Sequence, residues 1–226
     1  MAGKLTFARA KKAIESQGIL LVYPLANKPE PPSLFSVAYP KEKMRWEWTD
    51  DADDHVVSLW HLRMRLAESR SVVYAKWFQS RATFFSLPVF RAMLCGLEAA
   101  GASRCPRSVD ASTVLEILQD DSPMSTKVLR ENAGFRGREY ERRWTRALAE
   151  LFARLDIVGV GEVADGAFPS LAVGATSLLF ESEWNAREEP ESEDQEALDA
   201  ALGRSKAWAK QWKRSLDAVS SREERD

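Results

Sequence analysis

The stretch from Arg138 to Val173 can fold in few ways. Trp144, Leu148, Leu151, Phe152 and Leu155 recur at helical spacing and form one apolar stripe. The period then changes. Ile157-Val158-Gly159-Val160-Gly161 and Ala167 to Val173 are β-type runs flanking Ala164-Asp165-Gly166, and Asp-Gly between two such runs marks a hairpin. Upstream, Ser112 to Gln119 reads as a helix with Val114, Leu115 and Leu118 facing inward. Pro123-Met124-Ser125 interrupts it, and Ser125 is placed to cap a short helix carrying Val128 and Leu129, which Gly134 ends.

Three helices followed by a hairpin is the order of a winged helix-turn-helix, assigned to residues 109–184. Its third helix carries a second pattern. Arg138, Arg142 and Arg146 recur every four residues opposite the apolar stripe, with Arg143 beside them. The recognition helix of such folds enters the major groove, and a guanidinium's planar fork binds guanine edges or phosphates bidentately. Arg136 in the preceding turn, and Lys127 and Arg130 on the second helix, are placed to touch the phosphate backbone nearby. Ser125 to Leu155 holds eight bases (Lys127, Arg130, Arg136, Arg138, Arg142, Arg143, Arg146, Arg154) against four acids. The competing reading is a solvated face laced by pairs such as Glu139 with Arg143.

Composition enters here because the formal charge of the whole chain, −2, argues against a nucleic-acid partner. That figure is a cancellation. Glu188 to Asp199 contains seven acids and no base, and Arg204 to Arg214 contains five bases and no acid. Residues 185–200 therefore read as a mobile acidic linker, and 201–221 as a basic amphipathic helix with Trp208, Trp212, Leu216 and Val219 on its apolar stripe. That helix docks on the protein's own core, or else binds a protein partner or tracks nucleic acid; no membrane partner is expected.

With 226 residues, 45% hydrophobic and 29% charged, the chain is that of a soluble globular protein of one large domain or two small ones. General disorder, a collagen-like repeat and a disulfide scaffold are excluded. Cys95 and Cys105 are the only cysteines and form no C-x-x-C, which fits a reducing, cytoplasmic setting.

Residues 1–103 read as a mixed α/β module, so the whole chain is α+β. Phe7 to Gln17 is a helix stopped by Gly18, Ile19 to Tyr23 a strand, and Lys28 to Pro32 an extended loop. Met44, Trp46 and Trp48 alternate with Arg45 and Glu47. Asp50, Asp51, Asp53 and Asp54 precede a helix over His55 to Arg70, whose positive end they suit. Their spacing lacks the glycine and terminal Glu of a calcium loop. Strands over Ser71–Phe78 and Ala82–Ser86 and a helix over Leu87–Ala100 follow, and the module has room for a degenerate winged unit. His55 and His61, six apart on one helix, are a poor metal pair. Gly-rich phosphate loops, Gly-x-Ser-x-Gly and H-x-E are absent, so no catalytic residue, metal or cofactor is assigned.

Several runs carry a resemblance. Leu59-Trp60-His61-Leu62-Arg63, Val73-Tyr74-Ala75-Lys76-Trp77-Phe78, Arg81-Ala82-Thr83-Phe84-Phe85-Ser86, Met124-Ser125-Thr126-Lys127-Val128-Leu129-Arg130 and Arg146-Ala147-Leu148-Ala149-Glu150-Leu151 are similar to the AlkZ-related group of bacterial proteins. That group belongs to the winged-helix superfamily that includes the AlkZ and YcaQ DNA glycosylases. The resemblance spans roughly Trp46 to Trp184 and implies a winged-helix fold and DNA association. The glycosylases carry tandem winged helices and a Gln-x-Gln or Gln-x-Asp motif. This chain has no Gln-x-Gln, and Gln119-Asp120-Asp121 fits Gln-x-Asp only formally, at a helix end. The expectation is duplex DNA binding. A glycosylase acting on alkylated or crosslinked bases, with a role in DNA repair, is the first alternative, and a protein-interaction winged helix the second.

Overall fold

The computed structural model describes residues 5–45 and 54–220. The alternation at Trp46 and Trp48 and the acids Asp50, Asp51 and Asp53 lie outside the described residues, as does the side chain of Asp54. The chain opens with α1 (Phe7–Gln17), which begins where Thr6 Oγ1 accepts from the amide of Arg9 and ends at Gly18. Then come β1 (Ile19–Leu21), α2 (Leu34–Ala38), α3 (Asp54–Ser69), β2 (Val73–Phe78), β3 (Arg81–Phe85) and α4 (Leu87–Ala99). The second stretch runs α5 (Val109–Asp120), β4 (Met124–Ser125), α6 (Thr126–Asn132), a single 3-10 turn at Arg138–Tyr140, α7 (Glu141–Ala153), β5 (Ile157–Val163) and β6 (Ser170–Ala175). Short helices α8 (Thr176–Leu179) and α9 (Glu181–Asn185) lead to α10 (Ser192–Gly203) and α11 (Lys206–Ser220). The fold is mixed α+β, with eleven α-helices and one antiparallel sheet of six strands among the described residues.

The strand order is β1-β3-β2-β5-β6-β4. It divides at the middle into two runs of the same sequence of elements. Each is helix, strand, helix, helix, two-stranded hairpin, and in each the first strand pairs with the last: β1 with β3, and β4 with β6. The halves meet where β2 pairs with β5, Tyr74 opposite Gly159. Glycine is required there, because a Cβ on residue 159 would lie 2.3 Å from Cδ1 of Tyr74.

Alternation along the strands sends side chains to two cores. Val73, Ala75 and Trp77 join a cluster with α4, α5, α7, α10 and α11, whereas Tyr74 joins one with α1, α2 and α3. Each apolar side chain fully removed from water contributes roughly 1.5–3 kcal/mol, so α7, with Trp144, Ala147, Leu151 and Phe152 buried, is firmly seated.

Two expectations are corrected. The acidic segment is not a mobile linker. Leu198 and Ala201 are buried, and Asp194, 5% exposed, accepts from Arg91 Nε at 2.8 Å and Nη2 at 3.0 Å, so α10 is fixed to α4. The acids on its outer side concealed a helical apolar spacing. The last hairpin strand is Ser170–Ala175 rather than 167–173; Ala167, Phe168 and Pro169 belong to the connecting loop, where proline has no N–H to give a ladder. The terminal helix α11 docks on the protein's own core. Trp208 and Trp212 are buried, and Trp77 Nε1 donates to Ser215 Oγ at 3.0 Å. Its apolar stripe is thereby covered, leaving a charged outer side. No helix among the described residues is long and apolar enough to cross a membrane.

Candidate nucleic-acid interface

The third helix of the second half is positioned from both ends. At its start, Gly137 has φ 93°, and a side chain there would collide with the carboxylate of Glu139. Arg130 holds this turn. Its Nε donates to the Phe135 carbonyl at 2.8 Å, Nη2 donates to the Gly137 carbonyl at 3.0 Å, and Nη1 pairs with Glu141 at 2.8 Å. Its guanidinium is thus fully engaged inside the protein. At the other end, Asp156 accepts two hydrogen bonds from Arg107, at 2.8 and 2.6 Å, and one from Arg154 Nε at 3.2 Å. Arg154 also donates to the carbonyls of Ala102 and Cys105. One of the eight bases counted in this segment is therefore a buried clasp rather than surface charge.

Between these anchors the arginines divide. Arg138, Arg142 and Arg146 are exposed and form no ion pair among the described residues. Arg136 is exposed as well, with a long contact of 3.4 Å to Glu131. Arg143, by contrast, lies bidentate on Asp110 of α5, at 3.0 and 2.6 Å, and over the rings of Phe135 and Tyr140. This pairing holds the Asp110 carboxyl below the usual carboxylate range, with Arg146 adding to the field. The expected pair of Glu139 with Arg143 is not the one formed; α5 supplies the acid instead.

The hairpin is tied to α6. Ser125 caps that helix as expected, accepting from the Val128 amide at 3.2 Å, and its hydroxyl also donates to Asp165 Oδ2 at 2.5 Å. Lys127 donates its ammonium to the Asp165 carbonyl. Asp165 is thereby held below its ordinary pKa, chiefly by the Ser125 hydroxyl. Sequence reasoning registered Asp165 only as a turn residue. Its offset from the capping Ser125 carries no local pattern, since the two are 40 residues apart.

The glycosylase-type pattern is not drawn together. Gln119 is exposed at the end of α5 and lines a cleft of about 280 Å³ with Ser112, Glu116, Arg107 and Trp184, whereas Asp121 is not among its walls. No cluster of three or more His, Cys, Asp or Glu able to hold a metal is present among the described residues. His55 stacks on Tyr39 and lies 2.9 Å from Glu42, and His61 is exposed.

The family model of AlkZ-related proteins matches residues 5–210. The chain belongs to the AlkZ-related family. The match takes in both halves of the sheet, all of α10 and the first turn of α11. No curated protein and no solved structure matches the chain.

Proposed function

We propose that residues 109–175 are a winged helix-turn-helix that binds duplex DNA, with α7 as the recognition helix. The observation that carries this reading is the division of the arginines. Arg142 and Arg146 project from the side of α7 opposite its buried stripe, with Arg138 on the turn before it, and none of the three forms an ion pair among the described residues, while Arg130, Arg143 and Arg154 are engaged by other groups of the protein. Unpaired arginines on a rigid, well-seated helix suit phosphate and base-edge contact, because little is lost in ordering them. The order of α5, β4, α6, α7, β5 and β6 is that of the motif, and membership of the AlkZ-related family suggests a DNA-related role.

In this reading Arg142 and Arg146 meet the groove, Arg136 and Arg138 meet the backbone at its edge, and Lys127 meets a phosphate across the wing. Arg130 acts by shaping the turn, and Arg143 is held in reserve on Asp110. The action proposed is binding alone.

A salt titration tests it. Neutralising about four phosphates gives a log–log slope of roughly −3 to −4. Arg142→Ala/Arg146→Ala should weaken binding at least tenfold and reduce the slope by about 2, while Arg65→Ala on α3 leaves both unchanged. An arginine double variant that binds as tightly as wild type refutes the assignment.

A further inference from the structure

The last two helices leave opposite charges side by side and unused. They run in opposite directions along α4. In α10, Asp194 meets Arg91 and Ala201 sits with Val89 around Gly18; in α11, the Trp212 ring lies against Gly96 and Ser220 donates to the Ala100 carbonyl. Leu198 and Ala201 of the first helix and Trp208, Trp212 and Val219 of the second enter the same core cluster. Their opposite sides therefore both face solvent. On α10 that side carries Glu196 and Asp199, and on α11 Lys210 and Lys213, all four exposed. None of them forms an ion pair among the described residues, although the helices are neighbours; Asp199 accepts from Gln195 of its own helix at 2.9 Å.

Counted from the turn at Arg204-Ser205, these positions match. Asp199 lies five residues before Arg204 and Lys210 five after Ser205; Glu196 and Lys213 lie eight away in the same sense, and Ala200 and Ala209 four. With one rise per residue, equal counts are equal heights on two antiparallel helices. A two-fold axis along the hairpin keeps each height and exchanges the helices. Asp199 then faces the partner's Lys210, Glu196 faces the partner's Lys213, and every pair occurs twice. Exposed Ala200 meets the partner's Ala209, small on small, so the helices approach closely. An axis across the hairpin would set α10 on α10, acid on acid. We infer that the outer side of the α10–α11 hairpin is a self-complementary docking surface for a second copy of this chain, acid on base about a two-fold axis. A face two helices wide is at the small end of stable interfaces, and exposed ion pairs are weak and screened by salt. The association therefore belongs to the micromolar range and to low salt.

This surface is independent of the DNA reading, and sedimentation of the full chain without DNA tests it, over roughly 1–100 µM at about 0.05 M and about 0.5 M salt. At low salt the average mass of wild type should rise with concentration towards twice that of the monomer; at high salt it should stay monomeric. Lys210→Glu/Lys213→Glu and Glu196→Lys/Asp199→Lys should each weaken self-association at least about tenfold and keep the wild-type helical circular dichroism. Mixed in equal amounts, the two variants present an all-acidic hairpin to an all-basic one and should associate more tightly than wild type, a rescue that misfolded variants could not give. A wild type monomeric at low salt, variants that associate as wild type does, or a mixture that stays monomeric each overturns the surface. If wild type is monomeric and Lys210→Glu/Lys213→Glu binds duplex DNA more weakly, the basic row serves nucleic acid and the dimer falls while the DNA reading stands.

Discussion

The two halves of the sheet share one order of elements and differ in what their third helices show to solvent. The outer side of α3 carries Val57, His61, Arg65 and Glu68, a mixed set with little net charge. That of α7 carries Arg142, Thr145 and Arg146, continued upstream by Arg138. An arginine of α3 is used differently: Arg63 turns inward, stacks 4.4 Å over Trp60 and pairs with Glu162 of β5 across the junction. One topology thus supports a clasp in the first half and an open basic row in the second. Topology repeats; chemistry lives in the side chains placed on it.

The largest expected effect comes from cutting the second half's own clasp. Asp156 is 4% exposed and balances both Arg107 and Arg154. Removing one partner of a buried ion pair leaves uncompensated charge and typically costs about 3–5 kcal/mol. Asp156→Ala should lower the urea midpoint accordingly. A change of less than about 1 kcal/mol would mean that the end of α7 is held by packing alone.

A smaller effect tests whether the halves are one body. Gly159→Ala drives a methyl into the Tyr74 ring at the β2–β5 junction, an overpacking cost of roughly 1–3 kcal/mol. In a double-mutant cycle with Tyr74→Ala the two changes should couple favourably, because the ring is what the methyl strikes. Additive losses would place the strain elsewhere. The outer side of α7 is untouched by either change, so the folded fraction should bind DNA as wild type does.

How much of this could be read from residues follows from the range of the interactions. Helix α1, the strand after Gly18 and the capping Ser125 are local events, and the chain states them within a turn or two. Trp144, Trp208 and Trp212 sat on stripes and are buried, as stripes demand. Helix α10 was hidden because its acids outnumbered the apolar positions that seat it, and Arg91, which holds Asp194, is 103 residues away. The division of the arginines was equally illegible. Arg142 and Arg143 are neighbours in sequence, and only the packing of α5 against α7 brings Asp110 to one of them. A count of bases therefore overstated the open charge of the segment, and the room for a second winged unit in residues 1–103 became a matched order of elements only with the strand order, because the third helices share no charge pattern.

The smallest effect uses that same pair. Asp110→Asn removes the charge that holds Arg143, adding a fourth unpaired arginine to the row of Arg138, Arg142 and Arg146 and deepening its contrast with α3. If Arg143 then reaches a phosphate, the salt slope steepens by about 0.9 and affinity at low salt rises a few-fold. The pH dependence runs in a definite direction. Because Arg143 depresses the Asp110 carboxyl, the pair's contribution to stability is present above the unfolded value near about 3.9 and is lost as pH falls through the depressed one. The stability difference between wild type and Asp110→Asn should therefore be constant at neutral pH and shrink below about pH 4. A variant with the wild-type slope would show that Arg143, once freed, remains over Phe135 and Tyr140, and that the ring contacts rather than the carboxylate keep it from the duplex.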